Sequence, residues 1–357
     1  MIKSLNGIKF LLFLFIFGSH FKLLITDSDI GKQFYHFFAL GRFGVLCFFL
    51  LSGFCIALGY SEKFKNISKD FYFKFIKKRF IRIYPLYFLS GLAGLLFVQG
   101  INYLKPFICF YLPMLGPWTG VNDVGNSVAW FSSAIFFCYL VTPMVLFWFN
   151  KKENLKFHIT FSLANYLILT IFSIYLMTVD ETTNISLYSF LYCFPVIRLF
   201  EYFIALDLGF LFVKIFKNKL NFKFLDNYFL KSLIDILYIG LFLIIMYVLP
   251  SNALNRHLFA IPVICSFIVY LCIEKRSLLF DIFNSKLFNR GGNISYECFL
   301  IHIIVIQVLA DFSQKYLSSL HGLILLYIML LTLTIIIAAA YKFAVKFTEQ
   351  KIREMTN

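Results

Sequence analysis

Apolar runs follow one another along almost the whole chain, separated by short polar segments rich in Lys and Arg. A run of roughly 18 or more mainly apolar residues is the pattern of a spanning helix, because backbone groups in lipid must be paired within their own segment. The pattern predicts ten such helices, over 8–25, 42–60, 82–100, 127–149, 157–178, 192–213, 233–249, 256–273, 293–313 and 322–343. The apolar stretch from Pro106 to Gly116 is too short to span, and its Pro and Gly suggest a segment lying in the interface or dipping back into it. Lys3 and Lys9 before the first run resemble a secretory signal. The run ends in Gly18-Ser19-His20-Phe21-Lys22, without a small-x-small cleavage pattern, so a retained first helix is expected. With no internal repeat or low-complexity tract, the expectation is one all-α, polytopic membrane domain over 1–357 with no appended soluble domain.

Composition strengthens this picture. Hydrophobic residues make up 61% of the 357 and charged residues 14%, against roughly 45–50% and about 25% in soluble domains. The charges also set an orientation, because Lys and Arg accumulate on cytoplasmic loops. With the N-terminus inside, 26 of the 33 basic residues fall on inner segments and six on outer ones, which predicts that both termini are cytoplasmic. The net charge of +15 then follows from this asymmetry and from attraction to anionic membrane lipid, with no nucleic acid required. The eight cysteines, from Cys47 to Cys298, sit singly in apolar stretches. None forms a C-x-x-C pair or has a His at zinc-ligand spacing, so they read as small buried hydrophobes, and no metal is expected.

Ionisable groups inside spanning helices are costly and are functional candidates by default. Four draw attention: His20, Arg198, Glu201 and His302. His20 lies beyond the midplane of the first helix, and a neutral imidazole there suits general-base chemistry or a packing hydrogen bond. Arg198 and Glu201, three residues apart, share a helical face and either line a substrate cavity or form a structural bridge. His302, near mid-membrane, fits packing better than chemistry. At the entry to the third helix, Arg79 and Arg82 also share a face, and paired guanidinium groups suit phosphate as well as juxtamembrane anchoring. Trp130 reads as an interfacial belt residue.

Five segments in order then resemble the acyltransferase-3 family of bacterial membrane O-acyltransferases. Leu5-Asn6-Gly7-Ile8-Lys9, followed by His20, is similar to the family's opening L-D-G-L-R and His, with Asn6 and Lys9 at its Asp and Arg positions. Gly44-Val45 through Phe48-Phe49-Leu50-Leu51-Ser52-Gly53-Phe54 resembles G-V-x-x-F-F-x-x-S-G-F. Arg79-Phe80-Ile81-Arg82-Ile83-Tyr84-Pro85-Leu86-Tyr87 resembles R-x-x-R-I-x-P-x-Y. Arg198-Leu199-Phe200-Glu201-Tyr202 resembles R-x-x-E-F/Y, and Ser295-Tyr296 with Leu300-Ile301-His302 resembles S-Y-x-x-Y-L-x-H. One departure is Trp130-Phe131-Ser132-Ser133-Ala134-Ile135, where many members carry W-S-L-x-x-E: Ile135 holds the acid's place.

The resemblance implies transfer of an acyl group, most often acetyl, from cytoplasmic acetyl-CoA or another acyl-CoA to a hydroxyl of a surface polysaccharide or its lipid-linked precursor. The setting it implies is the bacterial cytoplasmic membrane. It points to His20 as the catalytic base, with Glu201 as a substitute partner for the missing acid, and to Arg79, Arg82 and Lys9 as acyl-CoA contacts. Arg198, Ser52 and His302 would form a polar substrate-side or structural cluster. A transporter of polysaccharide or lipid-linked sugar is the alternative, since the same intramembrane groups would serve a proton relay. The paired broken helices that usually mark a transport fold are not evident in the sequence.

Overall fold

The computed structural model describes all residues except 1, 26–39, 153, 180–184, 217–226, 251, 274–276, 314–315, 318 and 357. Several loop charges used for the orientation, Lys32 and Lys315 among them, lie outside the described residues. Ten principal helices form the bundle: α1 Lys3–Ile25, α2 Gly41–Tyr60, α3 Lys69–Gly94, α4 Trp130–Lys151, α5 Leu155–Thr178, α6 Pro195–Leu211, α7 Tyr228–Leu243, α8 Ile261–Ile273, α9 Lys286–Val308 and α10 Leu320–Thr356. Short π-helical turns extend α3 over Leu95–Gln99, α6 over Phe212–Phe216 and α7 over Ile244–Val248, and lead into α8 over Arg256–Ala260. No strand occurs among the described residues.

Nine of the described helical segments are long and apolar enough to cross a membrane. The tenth expected span, 192–213, differs. It breaks at Phe194, because Pro195 starts a new helix, and α6 carries Arg198, Glu201 and Asp207 within 17 residues, 12 of them buried. Packing register shows that α6 crosses nevertheless. α1 and α9 run parallel: Asn6 Nδ2 donates to Asn289 O and to Asn293 Oδ1 at one end, at 3.1 and 3.0 Å, and His20 meets His302 further along. Two parallel helices need an odd number of crossings between them, so each of α2–α8 must cross. α2 and α6 run parallel in turn, with Phe49 facing Arg198, Gly53 facing Tyr202 and Ala57 facing Gly209. The fold is therefore an all-α, multi-pass membrane bundle. The start of α1 and the lower part of α10 lie on one face, since Lys342 reaches Asn293 and Glu297 beside Asn6.

Some boundaries depart from expectation. α3 begins at Lys69, 13 residues before the expected span, capped by the Ser68 hydroxyl, which accepts from Phe71 N at 3.1 Å. Polar helix can leave the membrane without breaking, a continuity that hydropathy alone does not signal. α10 likewise runs to Thr356. The 106–116 stretch forms short helical turns tied to α3. Tyr111 stacks on Tyr87 at 4.3 Å, and each phenol donates to the other residue's carbonyl. Gly91 makes room, since a Cβ there would lie 2.1 Å from the Tyr111 ring. Five cysteines are buried as expected, but Cys109 is exposed.

Glycines close the contact that sets the site. A Cβ on Gly292 would meet the Asn6 carbonyl oxygen at 1.9 Å, and one on Gly291 would meet the Phe10 ring at 2.3 Å. Gly292→Val is therefore expected to push α9 from α1 and cost about 1–3 kcal/mol, as overpacking typically does. A melting temperature equal to that of the parent protein in detergent would contradict this.

Candidate functional site

α1 carries chemistry at both ends of its buried face. Near its start, Lys9 lines a cavity of about 380 Å³ together with Asn6, Ser52, Arg79, Arg82 and Lys342. Lys9, Ser52, Arg79 and Tyr139 also line a neighbouring cavity of about 670 Å³, so the two share a polar wall. Four of the predicted residues, Lys9, Ser52, Arg79 and Arg82, are thus brought together, and Lys342 adds a fourth cation. Arg79 stands over the rings of Phe75, Tyr60 and Tyr139 at 5.1, 5.2 and 5.4 Å, and its buried Nε has no hydrogen-bond partner among the described residues.

Arg82 differs from the expectation of a ready phosphate contact. Its Nη1 donates to Glu297 Oε1 at 2.8 Å, and Lys342 Nζ donates to the same oxygen at 2.7 Å. The Glu297 side chain is 1% exposed while that of Arg82 is 47% exposed, so the carboxylate is the buried anchor. Ile135, at the family's acidic position, lines this cavity, so the carboxylate beside the cations comes from α9.

The other end of α1 carries His20. His302 Nε2 lies 3.1 Å from His20 Nδ1, His302 Nδ1 lies 2.7 Å from Phe299 O, and His20 Nδ1 lies 3.0 Å from Ile16 O. Carbonyls only accept, so the hydrogen-bond network assigns a proton to Nδ1 of each ring. His302 Nε2 then accepts from His20 Nδ1–H. Among the described residues the lone pair of His20 Nε2 has no partner, on a half-buried ring backed by fully buried His302.

This geometry corrects the pairing expected from the sequence. Glu201 is not a partner of His20: its Oε1 accepts from Arg198 Nη1 and from His257 Nε2, the latter at 2.8 Å. Arg198 also donates to the Tyr192 carbonyl, from Nε at 2.8 Å and from Nη2. The expected Arg198–Glu201 ion pair is present, but in a separate cluster. His302, expected to serve packing, shares His20 Nδ1–H with the Ile16 carbonyl and so helps to hold the His20 tautomer. Glu297, His257, His158 and Asp207 also lie inside the predicted helices and carry the same signal of an ionisable group within a span. The last two pair in full burial, His158 Nδ1 with Asp207 Oδ1 at 2.5 Å, and Ser162 donates to Asp207 Oδ2 at 2.6 Å.

Between the two ends stand Phe48, Phe131 and Phe299, which close the deep side of the cavity. Phe131 and Phe299 meet at 5.1 Å, and the Phe299 ring lies 6.0 Å from that of His302. Lys9 and His20 are 11 residues apart, about 16 Å along the helix axis. Among the described residues, no group of three or more His, Cys, Asp or Glu is placed to hold a metal ion.

The described residues thus form a bundle of spanning helices with a cationic cavity toward one end of α1 and a histidine pair toward the other. Residues 2–341 match the family model described as "Acyltransferase domain", and the chain belongs to this acyltransferase-3 family. A stretch of 95 residues is 33% identical to acyltransferase MdmB of Streptomyces mycarofaciens, covering 26% of this chain and 23% of that relative. No solved structure matches the chain.

Proposed function

We propose that the protein is a membrane O-acyltransferase that moves an acyl group, most readily acetyl, from acyl-CoA to a hydroxyl of a surface glycan or its lipid-linked precursor. The observation that supports this most is the His20–His302 pair, which leaves a basic nitrogen on α1 beyond an aromatic wall from a cavity lined by four cations. The nucleotide phosphates of acyl-CoA lie against Arg79, Arg82, Lys9 and Lys342. The pantetheine arm passes Phe48, Phe131 and Phe299 to bring the thioester to His20.

His20 Nε2 takes the proton of the acceptor hydroxyl as its oxygen attacks the thioester carbonyl. The tetrahedral intermediate collapses with cleavage of the C–S bond. The CoA thiolate leaves and takes the proton from the His20 imidazolium. His302 remains neutral throughout and keeps His20 Nδ1 protonated. With Lys and Arg concentrated on loops at the Lys9 face, this face is cytoplasmic, where acyl-CoA is found.

The test is release of free CoA thiol from acetyl-CoA by purified protein in lipid nanodiscs, with lipopolysaccharide and capsular oligosaccharides offered as acceptors. Acceptor-dependent thiol release that disappears with His20 supports the reading. Absence of any acyl-CoA binding overturns it in favour of a transporter.

A further inference from the structure

At the His20 face a second cationic group surrounds one tyrosine. The guanidinium carbons of Arg198, Arg42 and Arg256 lie 4.4, 5.7 and 5.9 Å from the centre of the Tyr192 ring. These arginines come from three helical segments, α6, α2 and the turn leading into α8. Their level in the bundle follows from neighbouring contacts. Gly41 packs on Ser19, so Arg42 and His20 are level, and Leu271, 15 residues after Arg256, accepts from Ser4 at the opposite face.

Glu201 Oε1 accepts from both Arg198 and His257, while its buried Oε2 has no hydrogen-bond partner among the described residues. Arg256 is 9% exposed, and its Nη1 is buried with no hydrogen-bond partner among the described residues. A buried guanidinium donor left unmade is costly, so its retention calls for a ligand that supplies the acceptor. Beside the arginines is a partly exposed aromatic platform. Tyr188 and Tyr192 are stacked within 5° of parallel, and Trp130 meets Tyr192 at 5.3 Å and Arg198 at 5.7 Å. Flat aromatic faces pack against the C–H face of a pyranose, and guanidinium groups bind carboxylate and phosphate in a bidentate manner.

We propose that Arg256, Arg198 and Arg42, with Trp130 and Tyr192, form the acceptor subsite, and that it takes a sugar bearing a carboxylate or phosphate. This rests on the acyltransferase reading above and adds to it the class of acceptor. The anionic group anchors on Arg256, the ring lies on the aromatic platform, and the free hydroxyl is presented toward His20. Trp130 is then part of the binding surface rather than an interfacial belt residue. The three tryptophans of the chain make this testable. Trp118 packs on Phe137 and Phe194, and Trp148 packs on Phe157, both outside the subsite.

The experiment uses the full chain with Trp118→Phe and Trp148→Phe in phosphatidylcholine nanodiscs, following Trp130 emission while D-glucuronate, glucose 6-phosphate, glucose or methyl glucuronate is added. Saturable responses to the two anionic sugars, with at least tenfold weaker responses to the two neutral ones, are expected. Arg256→Gln should weaken glucuronate binding at least tenfold and leave acetyl-CoA affinity, measured on the same discs, unchanged. Equal affinity for glucuronate and its methyl ester overturns the proposal without need of any Arg256 variant, as does unchanged glucuronate affinity in folded Arg256→Gln protein. Loss of glucuronate binding when phosphatidylglycerol is added would assign the cluster to lipid headgroups and also overturn it. Missing sugar binding with intact acetyl-CoA binding removes this inference alone; missing acetyl-CoA binding removes the enzyme reading instead.

Discussion

His20→Ala protein is expected to insert, fold and bind acyl-CoA as the parent does while transferring acyl groups about 10²–10⁴ times more slowly, the usual contribution of a general base. The reason lies in the assigned tautomer, since the free lone pair at the His20 face belongs to Nε2 and its deletion leaves the hydroxyl without a proton acceptor. His302 separates a positioning role from a packing one. His302→Leu removes one of the two acceptors that share His20 Nδ1–H, leaving the Ile16 carbonyl, and should lower kcat by about tenfold, the effect of losing one hydrogen bond of about 1.4 kcal/mol. The KM for acyl-CoA should not change. His302→Gln keeps an acceptor oxygen and should recover part of the lost kcat. If Leu and Gln variants of equal thermal stability are equally slow, His302 is packing alone. Near-normal transfer by folded His20→Ala protein would remove this imidazole from the reaction.

How much of this was legible beforehand differs between the two ends of α1. The cationic end was readable: Lys9, Arg79 and Arg82 lie in short motifs near loop boundaries, and helical spacing places both arginines on one face. Their convergence with Ser52 was less readable, because α3 packs chiefly against α4 and α9 rather than against α1 or α2. The partner of His20 was not readable, because His302 is 282 residues away in sequence and its relation to His20 requires α9 to run parallel to α1. That direction depends on α6 crossing, although its 17 residues and three charges keep it outside the helices that length and composition alone mark as spans. Glu201 looked like the available carboxylate because it lies in a recognisable motif. Arg198 and His257 already use it. Glu297 lies between the motif residues of α9 and belongs to none of the recognisable patterns, so its only sequence signal is that of an acid within a spanning helix.

That carboxylate decides how the donor end should respond to mutation. Arg79→Ala with Arg82→Ala is expected to weaken acyl-CoA binding by more than about 100-fold. Each charge-assisted contact contributes about 1.5–3 kcal/mol when buried, with Arg82 toward the lower end because its side chain is 47% exposed. Lys at both positions should restore only part of the affinity, since an ammonium lacks the planar fork. Glu297→Gln should act in the opposite direction on the ligand. Glu297 Oε1 holds both Arg82 and Lys342, so under the proposed function donor phosphates would compete with this carboxylate. Its neutralisation leaves two cations facing each other and lowers the melting temperature without ligand. The same change raises the positive potential of the cavity and should tighten acyl-CoA several-fold, so that saturating acyl-CoA stabilises the variant more than the parent. Calorimetric titration with CoA, and melting with and without it, measure both effects. Weaker CoA binding by folded Glu297→Gln protein would mean that the carboxylate orients Arg82 for the phosphate rather than competing with it.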